Sequence, residues 1–233
     1  MIELHVFDDP DVQSEALARA VGEALDASLA AREAALVGGA RRATLAVSGG
    51  TSPRPFLAAL STHRFDWART DITLVDDRWV GETDAASNAR LVRETLLQNE
   101  AAKAPFLPLV DVSTTLDAHV AALNADPSRR IPDVAVLGMG EDGHTASIFA
   151  DAPEWDEALT TARAFVAVHP RAAPHARVSW SMQALRQVDR LFLLISGQRK
   201  LDVLQQAAAT EQNNAISKLA NDKGVRLDVY WCA

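Results

Sequence analysis

The chain contains a single cysteine, Cys232, next to the C-terminal end. One thiol can neither close an intramolecular disulfide nor supply a paired-cysteine metal site. Long apolar runs are missing too, since no stretch approaches the ~18 residues that a membrane span requires. Cations are outnumbered: 23 Lys and Arg stand against 31 Asp and Glu among 233 residues, a formal charge of −8. Nucleic acid is therefore not an expected partner, because neutralising its phosphates takes clustered Lys and Arg. The opening residues, MIELHVFDDPD, have neither the basic start nor the apolar core of a secretion signal. These absences lead us to expect a cytoplasmic protein without membrane association. An anionic substrate held in a locally positive pocket is compatible with all of them.

What is present is an ordinary globular balance, 48% apolar and 23% charged residues, which can bury a core and is far from the signature of disorder. Short apolar runs alternate with stretches of helical period. That alternation predicts an α/β domain, an open and mainly parallel sheet with helices on both faces, and the length suits one domain over residues 1–233. Strand-like runs are Ile2 to Phe7, Thr44 to Val47, Ile72 to Val75, Val134 to Leu137, Ala164 to Val168, Leu191 to Ile195 and Arg226 to Trp231. Leu17, Val21, Leu25 and Leu29 recur every four residues and predict a helix. Others are expected to begin at Pro53, which suits a first helical turn, and after Ser87, a residue type that caps. The segment from Pro170 to Pro174 is the strongest candidate for a flap.

Ligands of open parallel sheets bind beyond the carboxyl ends of the strands. Four such turns carry unusual chemistry: SGGTSP from Ser48, DDRWV from Asp76, GMGEDGHTAS from Gly138 and SGQRK from Ser196. The first places two glycines ahead of a helix, where free backbone N–H groups suit a phosphate; a tight turn without ligand is the alternative. Its near match to the G-x-S-x-G nucleophile elbow lacks the first glycine. The third matches G-x-G-x-x-G, yet Glu141 and Asp142 would put carboxylates where a pyrophosphate sits, and Pro153 leaves little room for a long helix. His144, in that glycine-rich turn beside Gly143, is the candidate general base, because imidazole takes up a proton near neutrality. In the second turn side chains alternate, so at most two of Asp76, Asp77 and Arg78 face one pocket. Arg78 suits either a structural ion pair or the grip on an oxyanion or phosphate. Lys200, in a helix's first turn, is electrostatically misplaced unless an anion binds there.

Taken together these turns resemble the 6-phosphogluconolactonase family through nearly the whole chain. The matching stretches are SGGTSPRPFLAAL, DDRWV followed by SNARLVRETLL, VLGMGEDGHTASIFAD, RVSWSMQAL and LFLLISGQRK. The family shares its Rossmann-like fold with glucosamine-6-phosphate deaminase, from which TASIFAD after the DGH, SGGT and SNARL all depart in the lactonase direction. Two positions differ from the usual family pattern: Asp77 stands where Glu is usual, and Ser179 where Thr is usual.

The resemblance implies hydrolysis of 6-phospho-D-glucono-1,5-lactone, with no cofactor and no metal. It implies catalytic roles for His144 and Arg78, and substrate or phosphate contacts from Ser48, Gly49, Gly50, Thr51, Asp76, Gly140, Asp142, Gly143, Arg177 and Lys200. Competing expectations are a hexosamine-phosphate isomerase or deaminase, a non-catalytic sugar-phosphate-binding protein and a serine hydrolase acting through Ser48. Oligomeric state is left open by the sequence.

Overall fold

A computed structural model describes residues 1–34 and 42–233. The chain begins β1 (Ile2–Phe7), α1 (Pro10–Ala34), β2 (Ala43–Val47), α2 (Arg54–Thr62), β3 (Thr70–Leu74), β4 (Asp76–Arg78) and α3 (Asn88–Thr95). It continues through β5 (Phe106–Leu107), α4 (Leu116–Ala125), β6 (Val134–Leu137), α5 (Trp155–Thr160), β7 (Phe165–Val168) and β8 (Arg177–Trp180). Last come α6 (Met182–Leu185), β9 (Arg190–Ser196), α7 (Gln198–Ala209), α8 (Ala215–Ala220) and β10 (Leu227–Cys232).

Seven strands form a parallel sheet in the order β1-β10-β9-β6-β2-β3-β5. The central strands β2 and β6 are buried at every residue, as expected of a sheet covered by helices. On α1 the four-residue apolar spacing becomes a buried stripe, with Leu17, Val21, Leu25 and Leu29 all at most 5% exposed. Pro53 precedes α2, where a missing N–H costs no helical hydrogen bond. Ser87 caps α3 by accepting from the Arg90 N–H at 3.2 Å.

β4, β8 and β7 form a separate antiparallel sheet. The chain crosses into it at Val75, whose N–H still bonds to Val47 of the parallel sheet while its carbonyl accepts from Trp180. The Trp180 indole donates to the Leu74 carbonyl at 2.8 Å and packs 4.2 Å from the Phe165 ring, which fastens the small sheet to the main core. Full burial of a side chain like Phe165 contributes roughly 1.5–3 kcal/mol.

The structure departs from the sequence expectation at two places. The run from Ala164 to Val168 is a strand, but of the antiparallel sheet; the seventh place in the parallel sheet belongs to β5. Asp76 to Arg78 does not merely follow a strand but is one, as is Arg177 to Trp180. The absence of a long helix after Gly138 does hold, since the next helix begins at Trp155.

The order of strands sets the location of the site. From β2 the chain proceeds outward through β3 and β5, then returns to the other side of β2 with β6 and proceeds through β9 and β10. Adjacent connections therefore diverge between the carboxyl ends of β2 and β6, opening a crevice there. No helix among the described residues is long and apolar enough to cross a membrane.

Candidate active site

A cavity of about 160 Å³ occupies that crevice, lined by residues of all four turns. Ser48 joins its two halves: the Ser48 N–H donates to the Val136 carbonyl and its Oγ accepts from the Gly138 N–H, both at 3.0 Å. No imidazole among the described residues bonds to that hydroxyl, so the nucleophile-elbow reading lacks its base. Beyond Ser48, none of the N–H groups of Gly49, Gly50, Thr51 and Ser52 donates to a described residue. Gly50 has φ +99°, a conformation that glycine adopts freely. Four successive donors without a partner among the described residues, ahead of α2, are a pattern that suits an anion.

His144 lines the same cavity. Its Nδ1 lies 2.6 Å from Asp142 Oδ1, its backbone N–H donates to the same oxygen, and its ring stacks 4.0 Å from Phe149. The carboxylate assigns the proton to Nδ1, so Nε2 carries the lone pair. The same hydrogen bond lowers the Asp142 pKa. Space for the ring comes from Gly140 rather than Gly143: a Cβ on Gly140 would lie 2.3 Å from the imidazole, whereas one on Gly143 would meet Asn214 at 2.6 Å.

Strand alternation sorts β4. Asp76 and Arg78 face the cavity, while Asp77 turns away into the protein. There its carboxylate accepts from the N–H groups of Arg78, Asn88 and Ala89, holding the start of α3. Burial pushes the Asp77 carboxyl up to about 6 against the pull of those donors.

Pairing of β4 with β8 sets Arg78 opposite Arg177. Like charges in register repel. Arg177 lies 3.8 Å from Asp76, over the Phe149 ring, and burial followed by the Arg78 charge lowers its pKa despite Asp76. The Nε atoms of both arginines are buried and have no hydrogen-bond partner among the described residues. Asp76 is held in turn by the Ser147 hydroxyl. Lys200, in the first turn of α7, reaches the same cavity.

The structure thus brings together Ser48, Gly49, Gly50, Thr51, Asp76, Arg78, Gly140, His144, Arg177 and Lys200. It does not bring Asp142 or Gly143 to the cavity wall: Asp142 faces His144, and the Gly143 carbonyl accepts from Ile216. The Pro170–Pro174 segment contributes no lining residue. Asn88 also lines the cavity, a residue for which the sequence predicts no role. Its signal was the SNARL stretch, but nothing local shows where an amide in a first helical turn will point. Among the described residues, the one cluster with metal-ligand spacing is Glu3, His5 and Asp228, at the sheet edge, where Arg226 pairs with both carboxylates.

A parallel α/β sheet with a cationic cavity at its switch point defines a protein built to hold a small anionic ligand beside an imidazole. The chain belongs to the family described as glucosamine-6-phosphate isomerases/6-phosphogluconolactonase, which matches residues 8–227. It is 40% identical over 237 residues to a 6-phosphogluconolactonase of Neisseria meningitidis, covering 99% of each chain. A 6-phosphogluconolactonase of Rhizobium meliloti is 38% identical over 234 residues, covering 98% of this chain and 97% of its own. Among solved structures, a 6-phosphogluconolactonase from Shewanella baltica superposes with a TM-score of 0.87 at 36% identity, covering 100% of this chain and 98% of that one.

Proposed function

We propose that this chain, acting as one domain in the cytoplasm, hydrolyses 6-phospho-D-glucono-1,5-lactone to 6-phosphogluconate, the second step of the oxidative pentose phosphate pathway. Relatives with this name at about 40% identity support the reaction. The observation that carries it is that one cavity is lined both by an imidazole with a free Nε2 and by a row of unused N–H donors with cations.

In this reading the phosphate rests on the Gly49 and Gly50 turn, with Arg177 and Lys200 supplying charge. Nε2 of His144 takes a proton from water as its oxygen bonds to the ring carbonyl carbon. A positioned base of this kind supplies ~10²–10⁴-fold. Charge developing on the carbonyl oxygen meets Arg78 and neighbouring N–H groups, and one preorganised donor is commonly worth ~3–4 kcal/mol of barrier. Collapse breaks the bond from that carbon to the ring oxygen, which recovers the proton from the imidazolium. The product acid then ionises, so each turnover releases one proton to solvent.

The test is disappearance of freshly prepared lactone at neutral pH with the spontaneous rate subtracted, run beside ammonia release from glucosamine 6-phosphate. Lactone loss well above background without ammonia supports the proposal. Ammonia release, or ligand binding with neither reaction, would replace it with the deaminase or the binding-protein reading.

A further inference from the structure

Asn88 lines the cavity, and its side chain is committed at both ends. Oδ1 accepts from Arg78 Nη1 at 2.8 Å, and Nδ2 donates to the Asp76 carbonyl at 2.8 Å. One buried amide therefore ties together the two cavity-facing residues of β4. The second observation is steric: a Cβ on Gly49 would lie 1.9 Å from Asn88 Oδ1. The amide stands where it does only because residue 49 has no side chain.

The third observation concerns charge. Besides Asn88, Arg78 Nη1 donates to the Ala86 carbonyl, and the guanidinium forms no ion pair among the described residues. Arg177, its cross-strand neighbour, lies beside the Asp76 carboxylate instead. A carboxylate at position 88 would hold Arg78 through a stronger, charge-assisted bond. It would also cancel the charge and turn an oxygen toward the Asp76 carbonyl. A neutral amide holds the guanidinium and leaves its charge for whatever enters the cavity.

We propose that Asn88 is a positioning residue that aims Arg78 into the cavity without neutralising it, and that Gly49 is the space this arrangement requires. The inference rests on the role given to Arg78 in the lactonase reading. It makes position 88 a selector of the arginine's charge as well as of its direction.

A double-mutant cycle tests it, using the parent chain, Asn88→Asp, Arg78→Ala and the double variant, each assayed for lactone kcat and KM and for 6-phosphogluconate affinity by calorimetry. Asn88→Asp is expected to lower kcat by about 10–100-fold with KM within about threefold, since an oxyanion donor acts chiefly in the transition state. Product affinity falls as well, because the new carboxylate of 6-phosphogluconate lies where Arg78 points. In the Arg78→Ala background both effects shrink to less than about twofold. Gly49→Ala gives an independent arm: harmful in the parent chain, it costs far less beside Asn88→Ala.

Parental kcat and affinity in Asn88→Asp would overturn the inference. So would an equal loss in the Arg78→Ala background, or a Gly49→Ala defect unchanged by Asn88→Ala. A parent chain inactive on the lactone would fault the proposed reaction instead, and the cycle read on product affinity would still decide whether Asn88 works through Arg78.

Discussion

His144 takes its tautomer from one carboxylate and its room from one missing side chain. Asp142→Asn presents an amide of nearly the same shape that can donate to Nδ1, which moves the ring proton to Nε2 and removes the base. Loss of most of the ~10²–10⁴-fold contribution of a positioned base is expected in kcat, with KM little changed. Steady-state kinetics on the lactone measure it; parental kcat would separate Asp142 from the mechanism. Arg177 and Lys200 line the same cavity, and in the proposed function they serve binding rather than chemistry. Arg177→Ala and Lys200→Ala should each raise KM and weaken 6-phosphogluconate affinity, by roughly tenfold for a charge-assisted bond, while kcat holds. If calorimetry shows neither variant altering affinity, the phosphate lies elsewhere. His144 was legible because a histidine in a glycine-rich strand end is unusual by itself. The roles of Asp142 and Asn88 were not, since each depends on where a side chain turns after the backbone has folded.

Among the elements, the long apolar ones were readable and the short polar ones were not. Leu17 to Leu29 gives α1 a period, and Val134 to Leu137 is an unbroken apolar run that becomes the buried β6. β5 is two residues long, and β4 spells Asp-Asp-Arg, a pattern without an apolar face. Such strands exist because neighbours pair with them, which is long-range information. The same reasoning explains Asp77, whose carboxylate joins β4 to the first turn of α3. Asp77→Asn keeps one acceptor and sets an amide N–H₂ against a backbone donor, so a loss of about 1–3 kcal/mol is expected in chemical denaturation. Its pH dependence has a definite sign. The folded carboxyl is raised to about 6, so its stabilising contribution is complete below the ordinary carboxylate range and is lost as pH rises through about 6. Asparagine cannot ionise, so the gap in Tm between parent and variant should narrow from acid toward neutral pH. A gap that widens instead would mean that the ionised carboxylate is the stabilising form.

At the scale of the molecule, a chain of formal charge −8 gathers Arg78, Arg177 and Lys200 around one crevice. The crevice lies where the strand order reverses, and the four turns that form it are scattered from residue 48 to residue 200. Only the fold makes them one site, although the sequence placed each at a strand end. The antiparallel sheet went unforeseen, yet it is what delivers the paired arginines. The most direct measurement is the kinetics of His144→Ala on the lactone, taken together with its affinity for 6-phosphogluconate. The account predicts kcat lower by ~10²–10⁴-fold with affinity within about threefold of the parent. Turnover by His144→Ala at the parental rate would contradict it.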